Sequence, residues 1–374
     1  MTEIKIKDLR GVGDVELNLD DTKRVFVFFG SNGVGKTKTL EAFYYFFLAQ
    51  TNNFSATNYR IKLSKKIFNS ITSETLSIHY SNAMFHEDEI LLPKLFEQIT
   101  LKNFDAIAYL GAKQRGSSAK EFNSNSKPLG SFTNRRQDFI KSISDALAND
   151  KLAEFGMTQN IYHWFVERAK SVNPYQKQED NRKIDIDTVL EALNILDNRI
   201  EQNFQIDAEN NVFLNIAGQE RELSELSSGF ISVVKITQSI ISAYSAFTNA
   251  TDLLNVKGVV LIDEIESHLH IEWQTKIVPT LKNLFPNTTF YIATHSPLVL
   301  SQLAEGEAYL LKRDNDNVVR SEKINSPNTR LLANVLQDTF GVDLNTLKRD
   351  NMANIDQSQA KQRLLDLLNS EAQP

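Results

Sequence analysis

GSNGVGKT (residues 30–37) follows the run RVFVFF (24–29) and leads into the apolar stretch 36–50. One charge followed by continuous apolar residues suits a strand buried on both faces of a sheet, and the stretch after the glycines reads as a helix. G-x-x-x-x-G-K-[ST] between a buried strand and a helix is a phosphate-binding arrangement. Gly30, Gly33 and Gly35 let the loop wrap so that backbone N–H groups of Ser31, Asn32, Val34 and their neighbours face phosphate oxygens. The start of the helix at Lys36, Thr37 and Lys38 adds its positive dipole end. The Lys36 ammonium reaches terminal phosphates, and the Thr37 hydroxyl is a hard ligand for Mg²⁺. The alternative is a chance glycine-rich turn, which at average residue frequencies occurs in a chain of this length about 1 time in 100.

Working outward, residues 3–19 alternate apolar and charged positions as strands do, and TLSIHY (75–80) and FDAIAYL (104–110) are further strand candidates. Residues 112–135 are polar and rich in Ser and Asn, as a loop is. Residues 136–170 and 188–203 read as helices joined by the polar VNPYQKQEDNRK. Strand character returns in KGVVLID (257–263) and TTFYIATH (288–295), and a helix over about 271–285 makes them a βαβ unit of a parallel sheet. GEAYLLKRDNDNVVRSEKI reads as a closing hairpin and NTRLLANVLQDTF as one more helix. No internal repeat and no sustained heptads occur.

Two further sites carry chemistry. VVLIDE (259–264) ends a strand with two carboxylates: Asp263 suits the hydration shell of Mg²⁺, and Glu264 can deprotonate an attacking water. An acidic helix start explains the pair as well when it stands alone; the phosphate loop upstream tips the balance. His295, in ATHSP, ends the neighbouring strand and so faces the same crevice. LSSGF (226–230) before the apolar stretch 231–247 is either an anion site or an ordinary helix cap.

Composition bounds the rest. The 374 residues hold no Cys, which excludes disulfides, thiolate metal sites and a Cys nucleophile. A net charge of −6 supplies no global basic field for nucleic acid, although a local basic face is left open. No apolar run approaches the ~18 residues of a membrane span, and the N-terminus shows no signal-peptide pattern; the expectation is a cytoplasmic protein without a membrane association.

GSNGVGKT, LSSGF, VVLIDEIESHLHIEWQ and FPNTTFYIATHSPLVLS together resemble an ABC-type ATPase of the SMC/RecF-like group, closest to prokaryotic AAA15/AAA21 and OLD-like ATPases met in phage defence. The resemblance covers residues 3–50 and 210–340 and leaves the helical segment largely uncovered. It implies an α/β fold: a P-loop NTPase head with a mixed sheet and parallel core, assigned to 1–114 and 206–345, an inserted helical lobe at 115–205, and a polar tail at 346–374. It implies ATP and Mg²⁺ as ligands. Residues 30–37 become the Walker A loop, Asp263 the Walker B carboxylate, Glu264 the general base and His295 the switch histidine. Ser227, Ser228 and Gly229 become the signature that caps the nucleotide of a second copy. Arg10 becomes a phosphate-contacting arginine and Gln114 the glutamine that senses Mg²⁺. Phe230 departs from the Gln or Glu usual at the end of the signature. The chain also stops short of the Toprim nuclease domain that OLD-like relatives often append. Asp314 and Asp316 form a D-x-D in a hairpin turn, and His268 and His270 lie in the segment after Walker B; neither pair is read as a metal site.

The expected function is ATP binding and hydrolysis by a homodimer or higher oligomer of heads that gates a separate effector, a nuclease or toxin, in anti-phage defence. Two rivals are a chromosome-associated head acting directly on DNA and an assembly scaffold with little turnover.

Overall fold

VFVFF, AIAYL and GVVLI, strands in which every residue is buried, are central in the computed structural model. It describes residues 2–48, 50–51, 66–74, 77–79, 85–86, 89–90, 104–116, 129–177 and 179–329, with scattered positions beyond. In chain order the strands are β1 (Thr2–Leu9), β2 (Gly13–Leu19), β3 (Val25–Phe29), β4 (Ser70–Ser73), β5 (Ser77–His79), β6 (Phe85–His86), β7 (Glu89–Ile90), β8 (Ala106–Leu110), β9 (Ile200–Ile206), β10 (Val212–Ile216), β11 (Gln219–Glu222), β12 (Gly258–Ile262), β13 (Thr288–Ala293), β14 (Ala308–Arg313) and β15 (Val319–Lys323). The helices are α1 (Lys36–Leu48), α2 (Phe132–Ala148), α3 (Ile161–Lys170), α4 (Lys183–Leu196), α5 (Ser228–Thr248), α6 (Ile271–Gln274), α7 (Ile277–Leu284) and α8 (Pro297–Leu300).

Ten strands form one sheet in the order β5-β4-β1-β2-β15-β14-β3-β13-β12-β8. From β14 to β8 every pairing is parallel, whereas β1/β2, β1/β4, β4/β5 and β14/β15 are antiparallel. The fold is α/β with a mixed sheet and a parallel core, as the sequence implies. Side chains alternate faces along a strand. Tyr109 and Tyr291 therefore meet Tyr44 and Phe43 of α1. Phe290, one residue away, turns to the opposite face, where Phe285 stacks between it and Tyr244 of α5. Gly258 at the start of β12 lies under the Tyr244 ring, where a Cβ would stand 2.2 Å from the hydroxyl oxygen.

Helix α5 is long and apolar enough to cross a membrane by length and composition, but 89% of its apolar window is buried inside the protein, against β8 and the helices around it. It reads as a core helix. Its C-terminus is stapled to α3 and α4 by a buried ionic network. Asp185 accepts from Arg182 at 2.6 and 2.9 Å, from Arg168 at 3.2 Å and from Ser245 of α5 at 2.9 Å.

Two expectations need correction. The segment 136–170 is two helices rather than one, because residues 149–160 turn away to pair with the end of β8. The expected helix at 188–203 ends at Leu196; Ile200–Ile206 is a strand paired with β10 in a three-stranded sheet of β9, β10 and β11, whose register seats the buried Ile200 opposite Ile216. That sheet straddles the position 205/206, and α2–α4 belong to the same compact unit, Met1–Thr329, as the large sheet. The second unit is Arg330–Pro374. The helix expected in NTRLLANVLQDTF, most of the polar tail and most of the Ser/Asn-rich loop lie outside the described residues.

Candidate nucleotide-binding site

The phosphate loop runs from the end of β3 into α1, where two glycines are required by the space around them. Gly30 has φ +145°, and a Cβ there would stand 2.7 Å from the Leu311 carbonyl oxygen; at Gly35, φ +111°, a Cβ would strike Val12 at 2.6 Å. Val34 is buried and anchors the loop, while Ser31, Asn32 and Gly33 are exposed. Lys36 is buried and donates to the carbonyls of Gly30 at 2.8 Å and Ser31 at 3.0 Å. Burial pushes its ammonium down to about 8, against the pull of Asp263, Glu266 and Glu264. Among the described residues it makes no ion pair. Lys38 is turned aside to Glu41, 2.6 Å away.

Asp263 follows β12, the second strand away from β3. Its carboxylate accepts from the Thr37 hydroxyl at 3.0 and 3.1 Å. Burial raises its carboxyl to about 6, opposed by that hydrogen bond and by Arg115. Thr37 and Asp263 are both hard oxygen donors, and a hydroxyl and a carboxylate held against each other beside a phosphate loop fit Mg²⁺. Glu264 is exposed and its backbone is left-handed, φ +46°; its carbonyl accepts from Ser267 N–H at 2.8 Å and from Arg115 at 2.5 Å. His295 is half-buried just past β13, and burial together with the Lys36 charge holds its imidazole below the ordinary value. Lys36, Thr37, Asp263, Glu264 and His295 thus lie at the carboxyl ends of the adjacent parallel strands β3, β13 and β12, where open α/β sheets bind ligands.

The remaining expected residues are placed otherwise. Ser227 caps α5, accepting from Phe230 N–H at 3.2 Å. Ser227 and Ser228 are exposed, and Gly229 lies against the backbone of His268 and His270. Among the described residues no hydrogen bond joins Ser227 or Ser228 to the phosphate loop of the same copy. Arg10 is paired with Asp150 at 2.5 Å. The Gln114 side chain is exposed, and its backbone, at φ +62°, presents its carbonyl to Lys235 at 2.9 Å. Arg10 as a phosphate contact and Gln114 as a Mg²⁺ ligand rest on the resemblance alone. Asp314 and Asp316 are both held by Arg320 at 2.7 Å, and no group of three or more metal-ligating side chains occurs among the described residues.

Sequence reasoning missed two residues. Glu266 accepts the Thr294 hydroxyl at 2.5 Å and His295 N–H at 2.6 Å, and so fixes the strand end that carries the histidine. Arg115 is completely buried behind Asp263 and Glu264. The E-x-E spacing of 264 and 266 offered a signal for the first; nothing in the sequence distinguishes Arg115 from its polar neighbours.

A family model described as "AAA domain, putative AbiEii toxin, Type IV TA system" matches residues 25–301, from the first residue of β3 to the residue after α8. The chain belongs to this AAA_21 family. Its phosphate loop, Asp263, Glu264 and His295 all lie inside the matched span. Among curated proteins, the chain is 24% identical over 356 residues to Septu protein PtuA of Bacillus thuringiensis, covering 91% of this chain and 84% of that protein. It is 37% identical over 95 residues to the Retron Vc95 probable ATPase of Vibrio cholerae serotype O1 biovar El Tor, covering 25% of this chain and 18% of that one. Among solved structures, an SmcHead bound to the C-winged helix domain of ScpA aligns with TM-score 0.47 and 11% identity, over 88% of this chain and 99% of that one. The glycine-rich loop between β3 and α1, on a mixed sheet with a parallel core, is the P-loop of this family of AAA domains.

Proposed function

We propose that two copies of the chain bind Mg·ATP at shared sites, hydrolyse it, and by closing and opening gate a separate effector protein in anti-phage defence. The observation that carries the reading is the buried Lys36 ammonium, bonded among the described residues only to carbonyls of its own loop, one residue from the hydrogen-bonded Thr37–Asp263 pair. A desolvated cation without a counter-ion is costly to the empty fold and becomes favourable when a polyphosphate arrives. Glu264 is the base that orients and deprotonates water; Mg²⁺, held by Thr37 and Asp263, would neutralise phosphate charge. Phosphoryl transfer then needs little beyond positioning.

The exposed Ser227 and Ser228 support sharing between copies: a helix N-terminus with exposed hydroxyls is an anion site, yet among the described residues it is not bonded to the phosphate loop of its own copy. Gating of a partner is supported by the resemblance to the Septu and retron proteins. It is also supported by a cleft of about 480 Å³ between α2, residues 149–160 and α5. One wall of that cleft, Glu154 to Gly156, adjoins the segment after β8: Gly111 N–H donates to the Phe155 carbonyl and Lys113 N–H to that of Ala153, each at 2.9 Å. The effector is a different chain with its own chemistry, and the segment 115–205, which carries α2, α3 and α4, is the surface that meets the trigger.

Glu264→Gln tests the reading. It keeps the shape and removes the base, so turnover should fall about 10²–10⁴-fold while ATP binding persists, and the protein should accumulate as a closed dimer with ATP, seen by light scattering. Wild-type turnover in this variant would remove Glu264 from the chemistry.

A further inference from the structure

Arg115 is fully buried, and among the described residues its guanidinium makes no ion pair with a carboxylate. It donates instead to backbone carbonyls: to Glu264 at 2.5 Å, to Asp263 at 2.8 Å and to Gly111 at 2.9 Å, while its Nε has no partner. Burial lowers it to about 10, against the stabilising field of Asp263, Glu266 and Glu264. A buried guanidinium is expensive, and an apolar side chain of similar volume often serves a core as well or better. What the guanidinium alone supplies is a rigid fork of donors that fixes several oxygens at once.

Two of those oxygens belong to the residues on which hydrolysis depends, Asp263 and Glu264. Glu264 has φ +46° without being glycine, a conformation that persists only where the surroundings over-determine it. Its carbonyl is held from two sides, by Arg115 and by Ser267 N–H at 2.8 Å. The same guanidinium ties this turn to Gly111, at the end of β8, and the next residue, Gly116, lies beneath the His268 ring, where a Cβ would stand 2.7 Å from Cγ.

We propose that Arg115 is a positioning residue for ATP hydrolysis, clamping the left-handed turn that aims the Glu264 carboxylate and linking that turn to segment 111–116. The proposal rests on Glu264 being the base. The guanidinium is buried behind the turn and acts through the carbonyls of Gly111, Asp263 and Glu264, so its removal should spare substrate binding and slow turnover. A misplacement of about 1 Å in a reacting group costs on the order of 10² in rate.

The test is steady-state ATPase kinetics of the full chain carrying Arg115→Met or Arg115→Lys, with folding checked by circular dichroism and Glu264→Gln measured beside them. Arg115→Met should keep KM for ATP within about threefold of wild type and lose about 10²-fold in kcat. Arg115→Lys, which keeps the charge but not the fork, should lie between the two. A folded Arg115→Met or Arg115→Lys with wild-type kcat would overturn the proposal, as would a raised KM at unchanged kcat. Failure of both variants to fold would assign Arg115 to the core and overturn it too. Wild-type turnover in Glu264→Gln would instead remove the reading beneath it; an inactive Glu264→Gln beside an unimpaired Arg115→Met would remove the clamp alone.

Discussion

Asp263→Asn should stabilise the ligand-free protein while abolishing its turnover. Asp263 is 2% exposed, and burial lifts its carboxyl from 3.8 to about 6 even with the Thr37 hydroxyl and Arg115 favouring the charge. The folded state therefore holds a proton that the unfolded chain releases between about pH 4 and 6, and stability falls as pH rises through that window. Above it the full cost is present, about 3 kcal/mol at about 1.4 kcal/mol for each tenfold change in proton affinity. Below about pH 4 both states are protonated and the cost vanishes. Asparagine keeps the oxygen that accepts from Thr37 and carries no charge. The variant should be about 1–3 kcal/mol more stable than wild type at pH 7.5, with a gain about 2 kcal/mol smaller at pH 4.5. Urea unfolding followed by circular dichroism, in chelator and without nucleotide, measures both. Taking the difference between variant and wild type cancels the other titrating groups. Equal or lower stability at pH 7.5, or a gain that ignores pH, would refute the reasoning. The same substitution removes the proposed Mg²⁺ ligand, so on this account the site trades stability for function.

Lys36→Ala should abolish tight ATP binding by equilibrium titration while leaving the unfolding transition in place, because Lys36 bonds only carbonyls of its own loop; unchanged affinity would contradict the Walker A reading. Expression in cells under phage challenge should show protection only when the product of a neighbouring gene is present. Protection or nuclease activity from this chain alone would contradict a separate effector, and Asp314 and Asp316 would be the first residues to re-examine.

The parts of the site legible in the sequence are those set by local backbone demands. GSNGVGKT is readable because wrapping a loop around phosphate needs glycine at fixed offsets between strand and helix, and VVLIDE because a doubly buried strand must be apolar until it reaches the crevice. Strand β9 was not legible: DNRIEQNFQI carries too few apolar residues for its alternation to separate it from the end of a helix. Its strand state comes from pairing with β10, which is tertiary. The break between α2 and α3 is likewise imposed by pairing of 149–160 with the end of β8. Asp185 looks like an ordinary early-helix carboxylate, and only the fold brings Arg168, Arg182 and Ser245 around it. Arg115 stands in a run of polar residues that reads as a loop, and its importance rests on two carbonyls from the distant segment 263–264 and one from nearby Gly111.

The central claim is that each ATP is completed by a second copy, and complementation between two inactive variants tests it most directly. Lys36→Ala empties a phosphate loop, and Ser227→Arg blocks the exposed helix start that would cap the opposite nucleotide. Each disables both sites of a homodimer; a mixed dimer gathers both defects in one site and leaves the other intact. Mixing the purified variants should restore ATPase to about half the wild-type rate per mixed dimer if the two sites act independently. No recovery, with mixed dimers demonstrated by pull-down of differently tagged copies, would contradict a nucleotide site shared between independently acting copies.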